Sequence, residues 1–276
     1  MNKQMIKTTG ILIILIALII GGCQKESTTT TAIVPGDSNT SEGSIVIGDK
    51  TFEGLNGIID GFMATSGLKS AAIGSCPSIT ATLSNSFPIA ITIDWGATGC
   101  TGAEDGIARS GKVIASLSGL MNVTNSVATF TFADFVNNGN KITGVHRITY
   151  KGLNPVNNWP RYAVFTEAKI EFPDKKFITY RAEYIRLQSE GSATLAVADD
   201  VWRIEGSSSG TTRGGTSWTA SYPSAVVKKS SCQWFSSGSV LVTPLGEVPR
   251  TINFGDGTCD NKATLTIGDK ITIINL

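Results

Sequence analysis

Phe177-Ile-Thr-Tyr-Arg-Ala-Glu-Tyr184 decides the fold class. Ile178, Tyr180, Ala182 and Tyr184 fall on one side of a period of two, and Thr179, Arg181 and Glu183 on the other. Successive side chains of a strand point to opposite faces, so the segment reads as an antiparallel strand with one dry and one wet face. The alternation returns in Val127-Ala-Thr-Phe-Thr-Phe132, in Trp218, Ala220 and Tyr222, in Leu265 and Ile267, and in Ile271 and Ile273. From Ser75 onward the chain reads as all-β.

Turn signals separate these runs at Asp105-Gly106, Asn138-Gly139, Pro173-Asp174, Ser209-Gly210 and Leu245-Gly246, roughly 35 residues apart. Two strands and two turns fill that interval, which predicts an antiparallel meander of long hairpins. A sandwich, a curved sheet and a barrel all use this alternation, and the pattern does not choose among them. A basic residue follows each turn: Arg109, Lys141, Lys176, Arg213 and Arg250. One reading is an anion-binding row; the simpler one is charge on exposed strand ends that discourages edge pairing. Upstream, Phe52, Leu55, Ile58, Ile59, Phe62 and Met63 fall at helical spacing and predict a short N-terminal helix from about Lys50 to Thr65. Gly54, Gly57 and Gly61 weaken it by ~1 kcal/mol each relative to alanine. Its apolar side is expected to close one end or face of the sheet.

The N-terminus carries an address. Lys3 and Lys7 precede an uncharged run from Gly10 to Gly22. That run is shorter than the ~20 residues needed to cross a bilayer and fits the apolar region of a secretory signal. Ile20-Gly21-Gly22-Cys23 resembles a lipobox, in which the cysteine is acylated and the bond before it is cut. Residues 1–22 are therefore expected to be a lipoprotein signal peptide and Cys23 the lipidation site. An ordinary signal peptide with a chance cysteine, or an uncleaved anchor, is the plainer alternative. Residues 23–48, with threonine at 28 to 31, read as a flexible Ser/Thr-rich tether. Residues 49–276 read as a single β-rich domain. Gln24 stands where lipoproteins kept at the inner membrane often carry Asp, which points to the cell outer membrane. Lys25-Glu26 resembles the short charged export signal of surface-exposed lipoproteins in Bacteroidota.

Removing Cys23 leaves Cys76, Cys100, Cys232 and Cys259, an even set suited to an oxidising compartment. Thr92-Ile-Asp-Trp-Gly-Ala-Thr-Gly-Cys100 lines up with Thr251-Ile-Asn-Phe-Gly-Asp-Gly-Thr-Cys259, and each copy is preceded by a Ser-Cys pair. Pro244-Leu245-Gly246-Glu247 lies midway between Cys232 and Cys259, so a regular hairpin sets those two cysteines opposite each other. The first copy does nearly the same about Asn85 to Pro88. The symmetry predicts disulfides Cys76–Cys100 and Cys232–Cys259, each closing ~25 residues and stabilising on the order of 3 kcal/mol. A zinc site is the rival reading, but no CxxC unit is present and the one histidine is distant.

Taken together, Ser75-Cys76-Pro77, Thr92-Ile-Asp-Trp-Gly96, Asp105-Gly-Ile-Ala-Arg-Ser-Gly-Lys112 and Gly255-Asp-Gly-Thr-Cys-Asp-Asn-Lys262 resemble a family of uncharacterised exported lipoproteins of Bacteroidota. The resemblance covers most of the chain from Ser75. It implies compartment and fold class, and no chemistry or site residue.

With a net charge of +1 and 16% charged residues, the chain has no basic patch to hold a phosphate backbone, so nucleic acid is not an expected partner. His146, in Gly144-Val-His-Arg-Ile-Thr-Tyr150, reads as a strand residue with a satisfied hydrogen bond and not as a catalytic base. Glu104-Asp105 and Asp199-Asp200 are the carboxylate pairs a glycosidase could use, but both sit beside turns and read as solvated loop ends. Asp256, Asp260 and Asn261 form an oxygen cluster without the EF-hand spacing. No catalytic residue, metal or cofactor is assigned.

The tryptophans offer flat platforms for sugars or partner surfaces. Trp202 and Trp218 alternate with apolar residues and read as core, while Trp95 and Trp234 carry no further signal. Trp159, in Asn157-Asn-Trp-Pro160, is the best exposed candidate for ligand binding, with capping of the sheet edge as its plainer role. The expected function is a membrane-anchored exported lipoprotein, a non-enzymatic interaction or structural module of the envelope. Its expected partners are the membrane, through the Cys23 lipid, and a glycan or protein. A glycan-binding or glycan-processing surface protein and a carrier of an apolar ligand are the alternatives.

Overall fold

The computed structural model describes residues 37–64, 76–82, 86–102, 106–194 and 196–276. The signal peptide, Cys23 and the Glu104-Asp105 pair lie outside the described residues.

Among the described residues one α-helix, α1 (Ser41–Ala64), precedes fourteen strands. The first seven are β1 (Ser78–Ala81), β2 (Ile89–Asp94), β3 (Cys100–Thr101), β4 (Ala108–Leu117), β5 (Val127–Asn137), β6 (Asn140–Leu153) and β7 (Pro160–Glu171). The rest are β8 (Phe177–Glu190), β9 (Val201–Thr211), β10 (Ser217–Lys229), β11 (Phe235–Pro244), β12 (Arg250–Asp256), β13 (Lys262–Ile267) and β14 (Lys270–Asn275). They form one antiparallel sheet in sequence order, with β3 paired to β4 beside the main path. The meander read from the turns is thus one large sheet that does not close, neither a sandwich nor a barrel.

Alternation sets its two faces. On β8, Ile178, Tyr180, Ala182 and Tyr184 are all buried. Partners across antiparallel strands share a face, so Ala182 brings buried Thr166 of β7 and Ser208 of β9 to the same side. Phe130, Ile142, Ile148, Ile170, Trp218, Val242 and Ile252 extend that face from β5 to β12. Each large side chain so buried contributes about 1.5–3 kcal/mol.

At β14 the reading inverts. Ile271 and Ile273 are 69% and 67% exposed, and Thr272 and Ile274 face inward. The register explains it: Leu265 pairs with Thr272 and Ala263 with Ile274, so the inward face of β13 dictates that of β14. The Ser209-Gly210 turn is also corrected, because both residues lie inside β9 opposite Arg181 and Tyr180. A Cβ at Gly210 would sit 2.9 Å from the Trp218 ring and 2.0 Å from the Thr179 carbonyl. Glycine is required there by close packing, and the chain reverses instead across 212–216.

The helix begins at Ser41, inside the stretch read as tether. Thr40 caps it, its hydroxyl accepting from the Gly43 amide at 3.1 Å. The Arg213 amide donates to the Ser38 carbonyl at 2.7 Å and ties this end to the β9–β10 turn. Small residues that suggested flexibility serve close packing: a Cβ at Gly48 would fall 2.1 Å from the Tyr180 ring. Phe52 and Leu55 are buried, as the helical spacing required. The side chains of Ile58, Ile59, Phe62 and Met63 lie outside the described residues. The helix packs on one face of the sheet, against β8, β9 and β11.

The row of basic residues is only partly exposed. Arg109 is buried. Arg213 pairs with Asp174 and lies over the Phe172 ring. Arg250 pairs with Glu247 and with Glu42 of the helix. Lys141 and Lys176 keep the solvent-facing position expected of strand ends. Arg213 joins two turns and Arg250 fastens the helix to the sheet.

Both disulfides form as the internal symmetry predicted. Cys76–Cys100 and Cys232–Cys259 join Cα atoms 6.3 Å and 5.7 Å apart, each across the open end of a hairpin. Such bonds mark an extracytoplasmic domain. Among the described residues no helix is long and apolar enough to cross a membrane.

Candidate functional site

The face of α1 turned to the sheet carries a polar stripe. Glu42, Asp49, Glu53, Asn56 and Asp60 recur at helical spacing, and all but Asp60 are buried as residues. Their partners on the sheet come from β6, β8, β10 and β12.

Asp49 accepts from three phenols. Tyr180 and Tyr184, four apart on one face of β8, and Tyr222 of β10 converge on its carboxylate. The Tyr184 oxygen is 2.7 Å from Asp49 Oδ1, and the Tyr222 oxygen lies 2.7 Å from that of Tyr184 and 3.2 Å from Asp49 Oδ2. Burial pushes the Asp49 carboxyl up to about 6, against the hydrogen bonds that lower it. Burial likewise raises all three phenols well above their ordinary range, so they stay protonated donors.

One turn on, a relay runs from the sheet into the helix. Asn56 donates to Glu53 Oε1 at 2.8 Å, which leaves its oxygen facing His146 Nε2, also at 2.8 Å. His146 therefore carries its proton on Nε2, and Nδ1 accepts the Thr166 hydroxyl at 2.8 Å. Burial, assisted by the charge of Arg186, holds the ring down at about 3, so it is neutral. Glu53 Oε2 lies 3.4 Å from Arg186, which also meets Asp60 at 3.1 Å. Arg186 stacks 4.0 Å over the Trp202 ring. Burial works against the guanidinium charge, but Glu53 and Asp60 outweigh it and raise its pKa. Burial pushes Asp60 up to about 6, opposed by Arg186.

Beside this network opens a cleft of about 440 Å³. Its helix side is formed by Lys50, Glu53, Gly54, Gly57 and Asp60; facing them are Arg186, Trp202 and Lys228. Trp234 comes from the loop held by the Cys232–Cys259 disulfide, Phe235 from the start of β11 and Phe254 from β12. The helix glycines that weaken the sequence signal are what give this wall its depth. A Cβ at Gly57 would touch nothing within 4 Å, and one at Gly54 would reach only Arg109 Nη2 at 3.8 Å. Neither glycine is forced by packing. The volume falls in the range of small-molecule sites, about 300–1,000 Å³.

The residues singled out from the sequence scatter about this site. His146 is the buried, satisfied strand residue expected. Trp202 and Trp218 are core, and Trp202 also lines the cleft. Trp159 lies half-buried in the β6–β7 turn and does not line the cleft. Asp199 is exposed and accepts from Thr194; Asp200 is buried and accepts from Gln188 at 2.8 Å, so it is not a solvated loop end. Asp256 and Asp260 accept from nearby backbone amides in their own turns. The functional reading of the sequence missed Arg186, Lys228 and the acids of α1. A helical-period stripe of Asp, Glu and Asn within a predicted core helix was the available signal. No family model, no curated protein and no solved structure matches this chain.

Proposed function

We propose that the chain is an exported lipoprotein, held at the outer membrane through a lipid on Cys23, that works by binding a small ligand and not by catalysis. The observation that carries this reading is the cleft beside α1, preformed, walled by aromatic side chains and deepened by two glycines that packing does not demand. The groups that acid–base chemistry would use are already engaged with one another: Asp49 by three phenols, His146 by Asn56 and Thr166, Arg186 by Glu53 and Asp60. The disulfides and the resemblance to exported lipoproteins of Bacteroidota support the address. Among the earlier alternatives, this favours a carrier or interaction module over a glycan-processing enzyme.

Native mass spectrometry of the full chain extracted from its own membranes tests both halves. The expected spectrum shows the acyl mass on the N-terminal peptide and a second, non-covalent adduct lost on activation. A bare polypeptide with neither adduct would overturn the proposal.

A further inference from the structure

The chemistry of the cleft wall narrows what it holds, and this step rests on the binding reading above. Lys228 and the exposed Lys50 are the lining cations without a carboxylate among the described residues, and of the two Lys228 is the part-buried one, its ammonium donating only to the carbonyls of Lys229 and Cys232. Burial lowers its pKa, which marks a cation short of compensating negative charge. The wall also contains three buried side-chain N–H groups without an acceptor, Arg186 Nε, Trp202 Nε1 and Trp234 Nε1. Among the described residues no lining side chain offers a buried acceptor in the same condition. Each orphan N–H carries a desolvation penalty that an incoming acceptor relieves. The carboxylates of Glu53 and Asp60, which a hydroxyl-rich or cationic ligand would need, are already taken by Arg186. Beside these donors lies an apolar part of the wall, Trp234, Phe235, Phe254 and Leu276, with Ser230, Ser231 and Gln233 as uncharged polar neighbours.

We infer that the cleft takes an amphipathic anion, with an acceptor-rich head such as a carboxylate directed at Lys228 and an apolar body against Trp234, Phe235 and Phe254. Gly54 and Gly57 supply the space for that body. A purely apolar ligand would leave the donors unanswered, and a cation would meet Lys228 head-on.

The test compares three probes with one tail and different heads: dodecanoate, dodecanol and dodecylamine, each below its aggregation threshold. They are titrated by calorimetry into the mature chain, residues 23–276 carrying Cys23→Ser, which lacks both the lipid and the apolar signal and so needs no detergent. Dodecanoate is expected to bind one per chain, at least tenfold tighter than either other probe. Lys228→Met should weaken dodecanoate about tenfold or more and leave dodecanol unchanged. Gly57→Phe should abolish binding of all probes by filling the wall; Gln233→Trp, at an exposed position on the rim, does the same without touching the helix. Equal affinity for the three heads, or indifference of dodecanoate to Lys228→Met, overturns the headgroup assignment while blockage by Gly57→Phe still upholds the cleft. Binding that survives both Gly57→Phe and Gln233→Trp overturns the cleft and, with it, the functional reading.

Discussion

His146 offers a direct measure of how dry the helix–sheet interface is. As the single histidine of the chain, it can be followed without ambiguity. In the folded state burial holds it down at about 3, against 6.5 for a free imidazole. A base with a depressed folded pKa contributes stability that is complete above the unfolded pKa and is lost as pH falls towards the folded one. Between pH 6.5 and 5 only the unfolded chain takes up this proton, at 1.36 kcal/mol per pH unit, a loss of about 2 kcal/mol. Asp49 and Asp60 run the other way. Their folded pKa values of about 6 lie above the ordinary 3.8, so the folded state gains protons first and gains stability as pH falls through 6. From pH 7 to 5 each returns about 1 kcal/mol. The three contributions nearly cancel, and the stability of the wild-type domain should change little over this range. His146→Gln removes one side of the balance. Whatever its baseline loss, its stability relative to wild type should improve by about 2 kcal/mol from pH 7 to 5. Urea unfolding followed by tryptophan fluorescence at several pH values reads this difference directly, because the exposed carboxylates are common to both proteins. Parallel pH profiles, or a His146 Cε1–H resonance that shifts between pH 7 and 5 in the folded protein, would refute the reasoning.

Other perturbations test the same architecture. Arg186→Met leaves Glu53 and Asp60 buried without their cation and should cost about 3–5 kcal/mol by urea unfolding; adding Glu53→Gln and Asp60→Asn should return most of it. Gly57→Ala should raise stability by about 0.5–1 kcal/mol, seen as a higher melting temperature, because the site is helical and has room for a methyl group. Paired Cys232→Ser and Cys259→Ser should cost about 3 kcal/mol and increase hydrogen exchange across 230–235, the segment that wall of the cleft depends on. Tyr222→Phe takes one donor from Asp49, and the apparent pKa of that carboxyl, read from its carbon chemical shift, should rise further above 6.

What the sequence disclosed followed from periodicity and local symmetry. A period of two survives any sheet geometry, so β5, β8 and β10 were legible from side-chain alternation alone. The disulfides were legible because two hairpins repeat one pattern about their turns. Alternation failed at β14, where Ile271, Ile273 and Ile274 make both faces apolar and only pairing with β13 selects the inner one. Glycine misled in opposite ways: Gly210 resembled a turn but was needed beside Trp218, and Gly54 and Gly57 looked like helix defects but line a cleft. The polar stripe was illegible for another reason. Asn56 meets His146 across 90 residues and Asp49 meets Tyr222 across 173, and no local pattern announces pairing at that range.

The stripe also explains why the cleft keeps its shape. A helix held by apolar contacts alone tolerates slippage, because one buried methyl group is much like another. Here a slip of one turn, about 5.4 Å, would separate Glu42 from Arg250, Asp49 from its tyrosines, Asn56 from His146, and Glu53 and Asp60 from Arg186 in a single step. Each unpaired buried group would cost about 1–3 kcal/mol, and more for the charged ones, so alternative registers are strongly disfavoured. The residues that pair and the residues that leave space are neighbours: Glu53 precedes Gly54, and Asn56 precedes Gly57. Fixing the first of each pair against the sheet fixes the second against the cleft. The polar network is therefore the frame of the binding site, and a ligand that prefers this register must stabilise the fold in proportion to RT ln(1 + [L]/Kd).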